Sequence, residues 1–156
     1  MWSDHHHANS FRAAPSLCAD IIFGKDRRTS NAFSSSRCLR SKEQVKELLD
    51  AIHRAILSAF GVPLRDRYQV YQEHSESNFI VQDTGLGIDR TKSVVFIGIT
   101  SRQRTEAQKR DLYTKLVEEL KTCGIEQNDI VVSISPNADA DWSFGNGRAQ
   151  FLTGEL

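Results

Sequence analysis

This chain offers little of what usually organises a small protein from outside its core. It has only three cysteines, Cys18, Cys38 and Cys123. They are scattered, odd in number and form no CxxC pair, which fits reduced thiols in an intracellular protein better than a disulfide or zinc framework. It has no excess of either charge, because 20 Lys and Arg balance 20 Asp and Glu. No general field therefore draws it toward nucleic acid or an anionic membrane, and no interleaving of basic and aromatic residues suggests nucleic-acid binding. No apolar run approaches the roughly 18 residues of a membrane span. His5-His6-His7 is metal-binding or tag-like in composition, but without Cys or further His nearby it reads as a solvated tail. What is left, at 156 residues, is one domain with one sizeable core.

From residue 41 onward the chain repeats itself. Ser41-Lys42-Glu43-Gln44 and Thr105-Glu106-Ala107-Gln108 are both capping boxes, a hydroxyl at the N-cap and a Gln to return the hydrogen bond. Val45, Leu48, Leu49, Ile52, Ile56, Ala59 and Phe60 then form an apolar stripe at helical spacing, as do Leu112, Leu116, Val117 and Leu120. Gly61 and Gly124 stop the two helices. An aspartate follows each glycine, Asp66 and Asp129, and leads into a strand, about 67–71 in one copy and 130–135 in the other.

A strand at 93–100 opens the second half, and 17–23 is the only apolar candidate to open the first. Each half is thus strand, helix, strand. The expected fold is α+β, a duplicated β-α-β unit forming a four-stranded mixed sheet with two helices on one face. The other sheet face needs cover, which a chain this short would take from identical subunits. Asp83-Thr84-Gly85-Leu86-Gly87, between the halves, reads as a turn-forming connection.

Arg102 and Arg104 follow the buried-strand pattern Val94–Ile99 and immediately precede the second helix cap. Residues two apart in an extended backbone face the same side, so the two guanidiniums would leave the strand end as a pair. Guanidinium forks match carboxylates, which makes a small carboxylate the first candidate ligand. The alternative reading has both arginines facing water or the acidic residues of the helix.

Repeat, paired arginines and tail together resemble the tautomerase superfamily, specifically its malonate semialdehyde decarboxylase branch. The resemblance runs from Arg40 to the C-terminus. It covers 60–69 (FGVPLRDRYQ), Asp83–Gly87, Ser101-Arg102-Gln103-Arg104 and the block 139–156 (DADWSFGNGRAQFLTGEL). It implies a homotrimer with active sites between or beside subunits, no metal or other cofactor, and chemistry resting on the free amine of an N-terminal proline. It further implies that Arg102 and Arg104 hold the substrate's carboxylate and neighbouring carbonyl. Asp66 would orient or polarise substrate or water, and Trp142, Phe144 and Phe151 would wall the pocket. A carbonyl polarised by a nearby cation is an electron sink, so a β-keto acid can lose carbon dioxide and a 2-keto acid can enolise. Structural readings stand beside these: Asp66 as a turn or cap residue, Trp142 and Phe144 as interface core.

Residues 1–40 depart from the family pattern, and residues 41–156 form the tautomerase-like domain. The proline that fits the family order is Pro15, but 14 residues precede it, so its nitrogen is an amide within the chain as written. Met1 is followed by Trp2, so removal of the methionine would not expose a proline, and Met1–Ala14 lacks the apolar centre of a secretory signal. Asp26–Arg40 is a Ser- and Arg-rich insertion that reads as loosely attached. The expected location is cytoplasmic, with organelle targeting by residues 1–40 or a misassigned gene start as the other readings of this stretch. Three functions follow. The first is a decarboxylase of a small keto or aldehyde acid, and the second a keto–enol tautomerase of 2-keto acids. The third is a non-catalytic trimeric carboxylate binder in which Pro15 stays acylated.

Overall fold

The computed structural model describes residues 17–24, as backbone, and 40–156. The element order is β1 (Leu17–Gly24), α1 (Lys42–Phe60), β2 (Tyr68–His74), β3 (Val95–Arg102), α2 (Glu106–Lys121), β4 (Ile130–Asn137) and α3 (Gln150–Thr153). The strand order is β2-β1-β3-β4. β1 is parallel to β2 and antiparallel to β3, while β3 and β4 are parallel. Two β-α-β units thus meet along the β1–β3 pair, and the expected mixed four-stranded sheet is present.

Both helix starts form for local reasons. Ser41 and Thr105 accept from the backbone N–H of Gln44 and Gln108, and each glutamine side chain accepts in return from the N-cap N–H. The two helices end differently. Gly61 caps α1 directly at φ 63°. α2 closes at Thr122, and Gly124 takes the left-handed conformation (φ 73°) two residues later. A side chain at either glycine would have room but not the backbone angle.

Both helices lie on one sheet face. Alternation along β3 puts Val95, Ile97, Ile99 and Ser101 beneath them, all but sealed from solvent. They pack with Leu48, Ile52, Ile56 and Phe60 of α1 and Leu112, Leu116 and Leu120 of α2. Each such aliphatic residue contributes about 1.5–3 kcal/mol on burial. Val45, Leu49 and Val117 of the expected stripes fall at the core margin, while Ala51 and Ala55 are fully buried. The opposite face carries Phe96, Thr100 and Arg102 of β3 with Tyr68 and Val70 of β2, the last two each 47% exposed.

The strands end later than the apolar pattern alone suggests, and β3 begins at Val95 rather than at residue 93. β2 extends to His74, β3 to Arg102 and β4 to Asn137, because ladder bonds to neighbours hold polar residues extended. The loop at 83–87 is a turn as expected: the Asp83 carboxylate accepts from Gly85 N (3.1 Å) and Gly87 N (2.8 Å), which also lowers its pKa. Asp129 is a buried anchor. It accepts from Thr91 N at 2.6 Å and Thr91 Oγ1 at 2.5 Å, tying the connection between the halves to the start of β4. Among the described residues no helix is long and apolar enough to cross a membrane. Pro15, the His5-His6-His7 run and the Asp26–Leu39 part of the insertion, Cys38 included, lie outside the described residues.

Candidate active site

The C-terminal ends of β3 and β4 lie side by side, with Ser101 opposite Pro136 and Arg102 opposite Asn137. Parallel strands end at the same edge, so the loops that follow them are brought together there. An open cleft of about 610 Å³ results, lined by Arg102, Gln103, Arg104, Asn137, Ala138 and Asp139. The start of β1 reaches the same edge: Leu17 pairs with Ser101, and Cys18 with Tyr68.

The two arginines share this cleft but reach it by different routes. Arg102 is the last residue of β3 and leaves from the sheet face opposite the helices. Its Nε lies 2.5 Å from Asp139 Oδ1 and its Nη2 donates to Oδ2 at 3.1 Å, while its guanidinium carbon stands 4.9 Å from the centre of the Phe151 ring. Arg104 lies beyond the strand, where alternation no longer governs direction, and turns toward the end of α1. It is buried, 4.7 Å over the Phe60 ring, and Nη1 donates to the Phe60 carbonyl at 3.4 Å. Burial lowers the pKa of Arg104 and the Arg102 charge lowers it further, with the Asp66 carboxylate opposing both. Arginine remains cationic at neutral pH through such a shift.

Asp66 is itself buried, in the loop between α1 and β2, and its backbone N–H donates to Pro63 O at 2.9 Å. His53 steadies this loop. Its Nε2 donates to Leu64 O at 3.0 Å, since a carbonyl oxygen only accepts, and the residue is only 6% exposed. The Asp66 carboxylate is not part of the cleft lining, and its charge bears on Arg104, whose cationic form it favours.

Trp142, Phe144 and Phe151 gather beside the cleft rather than within its lining. Trp142 stacks on Phe144 at 5.4 Å, and Phe151 meets Phe144 edge-on at 5.3 Å. The cluster joins the cleft at two points: Phe151 lies under Arg102, and Trp142 Nε1 donates to Asn137 Oδ1 at 2.8 Å. Gln150 holds it together, accepting from Phe144 N at 3.0 Å and donating to Gly145 O at 2.8 Å.

Four contributors escaped the sequence reading: Asp139, Tyr68, His53 and Gln150. Tyr68 stacks on Phe144 at 6.0 Å from a strand far away in sequence, so no local signal marks it. Asp139 sits in the C-terminal block, but only the folded chain puts it against Arg102. His53 falls on the apolar stripe of α1, where a histidine at a core-facing position was the available clue. Among the described residues no group of His, Cys, Asp and Glu could hold a metal ion.

Two family models, each described as tautomerase enzyme, match residues 66–145 and 37–89. The chain is 49% identical over 118 residues to the probable tautomerase YrdN of Bacillus subtilis (strain 168), covering 75% of this chain and 92% of that protein. A solved malonate semialdehyde decarboxylase, whose decarboxylase and hydratase activities its structures address, superposes with a TM-score of 0.78. It is 41% identical, with 89% of this chain and 98% of that chain covered. The fused 4-OT asymmetric trimer shares the fold, at a TM-score of 0.63 and 23% identity over 87% of this chain and 98% of that one.

Proposed function

Because this chain belongs to the tautomerase family, we propose that it acts on a small keto or aldehyde carboxylate bound between Arg102 and Arg104, as a decarboxylase of the malonate semialdehyde type. The observation that carries this reading is the pair of guanidiniums in one open cleft, with Asp66 acting behind Arg104. One arginine holds the carboxylate by a charge-assisted fork while the other polarises the carbonyl. Cleavage of the carbon–carbon bond releases carbon dioxide and sends the electron pair into that carbonyl, giving an enolate that a nearby acid protonates at carbon. The acid is the protonated amine of a proline made N-terminal, which is left neutral by the transfer. Pro15 is the candidate, since in sequence it precedes Leu17 by two residues and Leu17 pairs with Ser101.

Phe151, Phe144 and Trp142 serve as the apolar wall that strengthens these charge interactions by lowering the local dielectric. The uncovered sheet face with Tyr68, Val70 and Phe96 supports assembly as a homotrimer. In that assembly the aromatic wall also serves as interface. Keto–enol tautomerisation of a 2-keto acid is the second reading, and the 49% identical relative described as a probable tautomerase favours it. The same cleft would bind the keto acid and the same amine would move the proton between carbon and oxygen.

The test is the N-terminal residue of the protein from its own source, followed by assays of carbon dioxide release from malonate semialdehyde and of phenylpyruvate enolisation. Turnover of one substrate class by a chain starting at a proline supports the corresponding reading. No turnover of either by such a chain would overturn both and leave a carboxylate-binding protein.

A further inference from the structure

We infer that Asp139 sets the charge that the cleft accepts, making it selective for a ligand with one carboxylate over a ligand with two. The inference rests on the carboxylate-cleft reading above. Asp139 engages Arg102 with both oxygens, 2.5 Å from Nε and 3.1 Å from Nη2. That is the fork geometry a substrate carboxylate would use, supplied from within the chain. It occupies the Nε–Nη2 edge of the guanidinium, and the ring of Phe151 takes one of its faces. Ligand binding is left to the end-on edge that carries Nη1.

Asp139 also lines the cleft itself, with Arg102, Arg104 and the uncharged Gln103, Asn137 and Ala138. Two positive charges and one negative leave a lining with a single surplus positive charge. One ligand carboxylate satisfies that surplus. A second would enter against the Asp139 carboxylate with no cation left to match it, which is discrimination by repulsion.

Stability is a poor explanation for this pair. The Arg102 and Asp139 side chains are 32% and 39% exposed, and ion pairs of that exposure contribute about 0–1 kcal/mol. Their placement at the cleft mouth has the larger consequence. Asp139 is thus a positioning residue for Arg102 and a specificity-determining one for the ligand.

The experiment compares malonate with its monoamide, malonamate, two probes of nearly equal shape that differ by one charge. Calorimetric titration of the full chain at about pH 8, where both malonate carboxyls are ionised, gives the affinity ratio. The wild type should prefer malonamate. Asp139→Asn, which keeps the shape and removes the charge, should raise the malonate-to-malonamate ratio about tenfold and steepen the salt dependence of malonate binding. Asp139→Glu, which keeps the charge, should retain the wild-type preference. An unchanged ratio in Asp139→Asn, with both probes still bound, would overturn the role of Asp139 alone. Binding of neither probe by the wild type would overturn the carboxylate-cleft reading beneath it.

Discussion

Arg104 lies 4.7 Å over the ring of Phe60, the last residue of α1, and donates to its carbonyl. A cation at a helix C-terminus meets both the carbonyl end of the dipole and, here, an aromatic face. The end of the first helix therefore aims a cleft residue supplied by the second half of the chain. Phe60→Leu keeps most of the apolar volume and removes the ring. It should cost about 1–2 kcal/mol of stability and weaken binding of a small keto acid severalfold, read by urea unfolding and calorimetry on the same variant.

The aromatic wall depends on one amide. Gln150→Ala would leave Phe144 N–H and Gly145 C=O without the side chain that joins them. The expected cost is about 2 kcal/mol. The near-UV circular dichroism band of Trp142 should flatten as its stack on Phe144 loosens, with weaker ligand binding because Phe151 no longer supports Arg102.

How far the sequence carried the fold depended on distance along the chain. The two capping boxes were legible because donor and acceptor lie three residues apart, and the observed caps match them. The duplicated β-α-β order was legible for the same reason, each unit being marked by its own stripe and stop. The direction of Arg104 was not. Alternation predicts that it follows Arg102, but β3 ends at Arg102 and the next two residues enter the α2 cap, so Arg104 turns toward α1. Asp139 was invisible as a partner because it lies 37 residues from Arg102, and only the parallel pairing of β3 with β4 brings it there. Trp142, Phe144 and Phe151 announced a cluster by composition, yet not that they would stand beside the cleft and touch it through Phe151.

Asp129 and Asp66 occupy equivalent places in the two halves, and the structure separates their roles. Asp129 is 1% exposed and accepts twice from Thr91, holding the inter-repeat connection. Asp129→Ala should destabilise the fold by about 2–4 kcal/mol without altering ligand specificity. Chemical unfolding and the malonate-to-malonamate ratio check the two halves of that statement.

Tyr71 should mark the alkaline limit of stability. Burial, aided by the Glu73 charge and opposed by Arg40, pushes its hydroxyl up to about 12. In the unfolded chain it titrates near pH 10. The stability associated with the neutral phenol is therefore full below about pH 10 and is lost as pH rises toward about 12. Tyr71→Phe removes that dependence. Stability of wild type relative to Tyr71→Phe should fall across this window, as followed by thermal unfolding.

The central claim is that Arg102 and Arg104 form one carboxylate site, and calorimetric titration of pyruvate into the full chain and into Arg102→Ala and Arg104→Ala tests it most directly. Each substitution removes a charge-assisted hydrogen bond of about 1.5–3 kcal/mol, so affinity should fall at least about tenfold in both variants while the oligomeric state is unchanged. Equal affinity in all three proteins would contradict the account.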